Sequence, residues 1–155
     1  IQLLDTIDRG RAPADDTAAP ARAPQAAGAQ GQVVYVEDNA MNAALMRDLF
    51  ALRPDCRLQL CDSMRQGQAL IEQLRPQLVL VDMHLPDGNG LDLLRWLRRQ
   101  PVLGGTPVIV VSADATRRQQ DAALEAGATA YLTKPVNIAE ALRVIDAALG
   151  AEHAL

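Results

Sequence analysis

Three carboxylates, a hydroxyl and an ammonium stand directly behind short apolar runs in this chain. Glu37 and Asp38 follow Val33-Val34-Tyr35-Val36, and Asp82 follows Leu78-Val79-Leu80-Val81. Ser112 follows Val108-Ile109-Val110-Val111, and Lys134 lies in the Thr133-Lys134-Pro135 triplet behind Ala130-Tyr131-Leu132. Brought together, such groups have a definite electrostatic logic. Two carboxylates about 5 Å apart repel by about 3 kcal/mol at an effective dielectric of roughly 20. Three would raise one another's pKa unless cations resolved the conflict. Lys134 supplies one positive charge, and a hard divalent ion supplies the rest. Mg²⁺ suits a site with few protein ligands and several waters. A carboxylate in that setting is a nucleophile for covalent phosphoryl transfer. Ser112, Lys134 and nearby backbone amides are then the donors for the transferred oxygens.

Each residue alone has a blander explanation. Asp38 or Asp82 at a strand end is most often a helix N-cap. Ser112 could cap the segment from Thr116 or bond its own turn, and a lone lysine is usually solvated. Capping does not, however, require an acidic pair opposite a lysine, so the set favours a functional reading over the sum of its members.

The elements that must position these residues follow from periodicity. The runs at 33–36, 78–81 and 108–111 are continuous β-branched or Leu stretches, as in strands buried on both faces of a parallel sheet. Leu58-Gln59-Leu60 and Ala130-Tyr131-Leu132 read as two further strands. Between them lie helix-period stripes: Met41, Leu45, Leu49 and Leu52; Met64, Leu70, Ile71 and Leu74; Leu91, Leu94 and Leu97; and Ile138, Leu142, Ile145 and Leu149. Thr116 to Ala126 is expected to be helical with a weaker Ala-rich stripe. Alternation of five strands with five helices predicts a doubly wound α/β domain, whose ligands bind beyond the carboxyl ends of the strands. Cys61 and Asp62 end the second strand, too far to the side to join the others.

Composition bounds the alternatives. With 155 residues, 49% of them hydrophobic, the chain has room for one domain with a real core and a tail. A net charge of -4 and a pI near 5.1 argue against binding nucleic acid or anionic membrane by bulk electrostatics. Two cysteines, Cys56 and Cys61, are too few for a disulfide scaffold, and a cytosolic location is the expectation. Residues 10–30 read GRAPADDTAAPARAPQAAGAQ, a linker by composition, so the organisation expected is an upstream remnant and linker over 1–30, a domain over 31–150, and a tail over 151–155.

The segments VVYVEDN, LVLVDMHLPDGNG, VIVVSAD and AGATAYLTKP together resemble the receiver domains of response regulators in two-component signalling, from about Gln32 to Gly150. The resemblance implies the flavodoxin-like fold with strand order 2-1-3-4-5. It implies that Glu37 and Asp38 help hold Mg²⁺, with Asp38 the more direct ligand. Asp82 becomes both metal ligand and phosphoacceptor, and the backbone carbonyl of His84 completes the protein ligands. Ser112 becomes the switch hydroxyl, Lys134 the partner of the phosphoryl group, Pro135 the second residue of a cis peptide bond, and Tyr131 the aromatic switch. Asn89 stands where the family more often has Asp. His84 and Asp114 occupy positions that tune dephosphorylation in the family.

The resemblance also implies a phosphohistidine donor and a histidine phosphotransfer protein as the next acceptor. The Ala/Pro linker, the start at Ile1 and the absence of a following output module suggest the C-terminal receiver of a hybrid sensor histidine kinase, with Ile1 to Leu4 the end of its ATP-binding domain; a stand-alone receiver is the alternative. A haloacid-dehalogenase-type phosphatase uses similar groups, but its nucleophile comes first and its acidic pair last, the reverse of the order here. A flavodoxin-like flavin binder needs a phosphate cradle where Glu37-Asp38 would repel phosphate. The P-loop motif is absent, and a degenerate receiver would lack some of the site residues.

Overall fold

The runs of Val, Leu and Ile become strands because both of their faces can be buried, and the computed structural model shows both faces covered. It describes residues 31–150, so the expected linker and tail lie outside the described residues. The elements follow as β1 (Gly31–Val36), α1 (Ala40–Phe50), β2 (Cys56–Cys61), α2 (Met64–Leu74), β3 (Leu78–Asp82), the two-residue strands β4 (His84–Leu85) and β5 (Gly88–Asn89), α3 (Gly90–Arg98), β6 (Val108–Ser112), α4 (Arg117–Glu125), β7 (Ala130–Thr133) and α5 (Ile138–Gly150). The main sheet is parallel with order β2-β1-β3-β6-β7, the expected 2-1-3-4-5 arrangement counted over its own strands.

Alternate residues of the central strands enter two cores, as the two-residue repeat of a strand requires. Val34, Val36, Val79, Val81, Val108 and Val110 pack with Ile71 of α2, Leu91, Leu94 and Leu97 of α3, and Ala123 of α4. Val33, Tyr35, Leu78, Leu80, Ile109 and Val111 pack instead with Met46, Leu49 and Phe50 of α1 and with Ala141, Ile145 and Leu149 of α5. Each fully buried large side chain contributes roughly 2 kcal/mol through area removed from water.

Helix starts follow side-chain caps. Asn39, Ser63, Asn89 and Thr116 accept from the amides of Asn42, Gln66, Leu91 and Gln119 respectively. Asn89 therefore keeps the turn chemistry its position needs.

Two helical stripes differ from expectation. On α1 the buried face is Met46, Leu49 and Phe50, whereas Met41 is 81% exposed and Leu45 is also exposed; Leu52 lies past the helix end. Apolar residues cover so much of this helix that periodicity alone does not choose the face, and Phe50 at i+4 from Met46 takes the sheet side. On α5, Ile138 at the first turn is exposed while Ala141, Ile145, Ala148 and Leu149 are buried. The β4–β5 hairpin inside HLPDGNG was not expected at all. Among the described residues no helix is long and apolar enough to cross a membrane.

Candidate functional site: an acidic rim closed by one lysine

Strand parity divides the rim into two groups before any side-chain contact is considered. Glu37 continues the Val33-Tyr35 side of β1, and Asp82 the Leu78-Leu80 side of β3. Lys134 continues the Leu132 side of β7, so all three lean toward the core shared with α1 and α5. Ser112 and Tyr131 have the opposite parity, toward α2, α3 and α4. The contacts obey this division.

In the first group Lys134 Nζ lies 2.9 Å from Glu37 Oε1 and 2.8 Å from Asp82 Oδ1. Glu37 and Asp82 are 4% and 6% exposed, so this is a bridge across largely desolvated carboxylates. Burial raises the Asp82 carboxyl above its ordinary value; the Lys134 hydrogen bond pulls it back, and Glu37 pushes it up again. Burial alone would lower the Lys134 ammonium, but its bonds to Asp82 and Glu37 outweigh that, and its pKa is raised. Glu37 Oε1 also accepts the phenolic hydroxyl of Tyr35 at 2.7 Å, and Oε2 accepts the Asn39 amide at 3.2 Å.

Asp38, by contrast, is exposed and faces solvent at the mouth. One oxygen from each of Glu37, Asp38 and Asp82 falls within 4.8 Å of the others, a spacing one cation can span. These hard oxygen donors fit Mg²⁺, which tolerates few protein ligands and keeps waters for the rest. The imidazole of His84 is not in this group. Nor is Asp62. The neighbouring Cys61 thiol is buried and pushed up to about 12, so it offers no thiolate.

In the second group, Ser112 is 1% exposed and its Oγ accepts the Asp114 amide at 3.0 Å, so it bonds its own turn rather than capping α4. The Asp114 carboxylate accepts the Thr116 amide at 2.8 Å, which lowers its pKa. Tyr131 donates its hydroxyl to the Asp114 carbonyl at 2.6 Å. The hydroxyl and the aromatic ring therefore hold the same short loop from two sides. The Lys134 amide donates to the Ser112 carbonyl at 2.8 Å, and the Lys134–Pro135 bond is cis.

Backbone also shapes the site. Gly90 opens α3, its amide donating to the Met83 carbonyl at 2.7 Å, and a Cβ at this position would collide with the Asp82 carbonyl. Only glycine allows that approach. Asp87, at the tip of the β4–β5 hairpin, accepts the amides of Met64 and Arg65 and ties the loop after Asp82 to the start of α2. Tyr35 and Asp87 escaped sequence reasoning. The one available signal for Tyr35 was its place two residues before Glu37 on the same strand face.

A doubly wound sheet with a carboxylate cluster at its carboxyl edge, one bridging lysine and a buried hydroxyl defines a class of divalent-cation phosphoryl sites. Comparison with known proteins narrows it. Residues 33–146 match the response regulator receiver domain, and the chain belongs to that family. It is 31% identical over 118 residues to the polar-differentiation response regulator DivK of Brucella anthropi, covering 76% of this chain and 95% of the relative. The receiver domain of sensor histidine kinase PA1611 from Pseudomonas aeruginosa, solved with a magnesium ion in its active-site cleft, is 28% identical with a TM-score of 0.71. It is matched over 79% of this chain and 99% of that one. The signal receiver domain of a signal transduction histidine kinase from Syntrophus aciditrophicus gives 26% identity and a TM-score of 0.71, over 78% and 91% of the two chains. The chain is thus a phosphoacceptor receiver of two-component signalling, a family that binds Mg²⁺ at its acidic site.

Proposed function

We propose that Asp82 is the phosphoacceptor and that Glu37, Asp38, Asp82 and the His84 backbone carbonyl form the Mg²⁺ site. The observation that carries this is the Lys134 ammonium held between Glu37 and Asp82 beside a three-carboxylate cluster. Asp38 and Asp82 are the direct carboxylate ligands in this reading, because both Glu37 oxygens already accept hydrogen bonds. Bound there, Mg²⁺ would neutralise charge on the incoming phosphoryl oxygens. An Asp82 oxygen bonds to phosphorus while the bond from phosphorus to the donor's histidine nitrogen breaks, its electron pair returning to the imidazole. Lys134 then exchanges a carboxylate for a phosphoryl oxygen. Ser112 gives up the Asp114 amide to donate to another, and Tyr131, bonded to the same loop, moves with it. His84 and Asp114, two residues past Asp82 and Ser112 respectively, set in this reading how readily water reaches the acyl phosphate.

The donor in this reading is a histidine kinase phosphohistidine within the same parent protein, and a histidine phosphotransfer protein is the next acceptor. Two observations support a hybrid sensor histidine kinase as that parent. Receivers solved from two histidine kinases superpose on this chain, and residues 10–30 have the composition of an interdomain linker. Exposed Met41 and Leu45 behind Asp38, and exposed Ile138 behind Pro135, offer apolar surface at the same edge for a helical phosphohistidine module. The match to 95% of DivK favours a single-domain regulator as the second reading. Coding sequence upstream of Ile1 separates the two. A dimerisation helix with a phosphorylatable histidine supports the first, and its absence the second.

The acceptor is tested with Mg²⁺ and acetyl phosphate. The expected product is an acid-stable, hydroxylamine-labile adduct one phosphoryl group heavier, mapping to the peptide with Asp82 and lost in Asp82→Asn. Persistence of the same adduct in that variant would overturn the assignment.

A further inference from the structure

We infer that Tyr35 is a positioning residue of the acidic rim: its buried hydroxyl fixes Glu37 so that Asp38 and Asp82 are preorganised for a divalent cation. The inference rests on the Mg²⁺ reading of the site. Tyr35 is 1% exposed and packs in the core between the sheet and α1 and α5. Its neighbours there are hydrocarbon, so its polar end must find a partner elsewhere. Glu37, two residues further along the same face, provides it at 2.7 Å.

Glu37 thereby receives donors from three directions. Tyr35 comes from within β1, the Asn39 amide from the loop into α1, and Lys134 from the end of β7. Tyr35 and Lys134 share the single oxygen Oε1. The sharing has a mechanical consequence. Lys134 must also serve Asp82, 2.8 Å away, and any anionic group arriving there competes for it. Without the phenol, Glu37 Oε1 would then be a buried acceptor with no donor, a penalty that resists the movement of Lys134. With the phenol, Oε1 keeps a donor and the carboxylate keeps its orientation. A carboxylate held this way also leaves Asp38 and Asp82, rather than Glu37, free to face a metal. Partners of this indirect kind commonly change metal affinity by roughly 10- to 100-fold when removed. A phenol that merely completes its own hydrogen bond would affect stability and nothing else.

The test is calorimetric titration of MgCl₂ into the wild-type chain, Tyr35→Phe and Tyr35→Leu, with circular dichroism to establish folding. Tyr35→Phe keeps the ring and removes only the hydroxyl. It should fold and bind Mg²⁺ about ten-fold more weakly. Tyr35→Leu should share that loss and also melt earlier through lost packing. A folded Tyr35→Phe with wild-type Mg²⁺ affinity overturns the role of Tyr35 and leaves the metal site standing. Failure of the wild-type chain to bind Mg²⁺ overturns both. Should the variants not fold, 3-fluorotyrosine is incorporated into the otherwise unaltered chain, with Tyr131→Phe to assign the two ¹⁹F resonances. The Tyr35 signal is expected to shift along the Mg²⁺ binding curve, and an immobile signal overturns the inference.

Discussion

The two ends of the sheet each hold a half-buried cation, and they hold it in opposite ways. At the carboxyl edge Lys134 bridges the carboxylates of Glu37 and Asp82. At the amino edge Arg98, from the last turn of α3, meets only backbone among the described residues. Its Nε and Nη2 donate to the Gly127 carbonyl, and its Nη1 to those of Gly104 and Thr106. Burial lowers the Arg98 guanidinium, whereas the Lys134 ammonium is raised by its partners. The rigid fork of arginine matches carbonyls fixed by two loops, including the turn at Gly127, whose φ of 109° suits glycine. A flexible lysine stem carries a point charge that can change partners.

This contrast is most easily broken by removing each cation and adding Mg²⁺. Arg98→Ala leaves three carbonyls without their donor and loosens two loops, an expected loss of about 3 kcal/mol. In a domain of this size that lowers the melting temperature by roughly 10 °C. Mg²⁺ should restore none of it, and the folded protein should still accept phosphoryl groups. Lys134→Ala leaves adjacent buried carboxylates uncompensated and is expected to cost about 2 kcal/mol without metal. Here Mg²⁺ should recover most of the loss, because one cation substitutes for another, while phosphoryl accumulation stays impaired. Thermal melts of both variants with and without Mg²⁺ check the pair. Equal rescue of the two, or rescue of neither, would erase the distinction between the two ends.

Asp82→Asn sharpens the same contrast from the acidic side. Because the Asp82 carboxyl is raised in the folded chain, its charge works against folding at neutral pH. Removing that charge while Lys134 still pairs with Glu37 should raise stability and the melting temperature in metal-free buffer. Mg²⁺ should then stabilise the variant less than the wild type. A metal-free melting temperature at or below that of the wild type would show that Lys134 already compensates both carboxylates in full.

These two ends were not equally legible in the sequence. The functional edge announced itself because strands buried on both faces read as unbroken apolar runs, so the first polar residue after each run marks the rim. Glu37, Asp82 and Ser112 were found in this way, and Lys134 one position further on, behind Thr133. Tyr35 was hidden inside such a run, since a buried phenol counts as apolar until its hydroxyl is asked for a partner. Arg98 left no trace: it is one of two adjacent arginines at a helix end, and its partner Gly127 lies 29 positions away in a loop whose shape no local pattern encodes. The buried face of α1 was misjudged for a different reason. Two overlapping apolar stripes share Leu49, and packing against the sheet chose between them through Phe50.

The smallest expected effect concerns Asp87, which lies between the regimes because it is an exposed carboxylate that accepts two backbone amides. The Met64 and Arg65 amides at 2.7 and 3.0 Å lower its pKa in the folded chain. A depressed carboxyl pKa stabilises the fold above the unfolded value near 3.8, and that contribution fades as pH falls through the lower folded value. Asp82 has the opposite sign: its raised pKa makes the fold lose stability as pH rises from the unfolded value through the folded one. Asp87→Ala should therefore lower the melting temperature slightly at neutral pH and cease to matter in strong acid, where the wild-type side chain is itself protonated. Its free energy against pH should converge with that of the wild type as pH falls, whereas the Asp82→Asn and wild-type curves should converge in acid from the other side, the variant being the more stable above. Parallel curves for Asp87→Ala would mean that the hairpin is tied to α2 by hydrogen-bond geometry alone, with the charge of Asp87 contributing nothing.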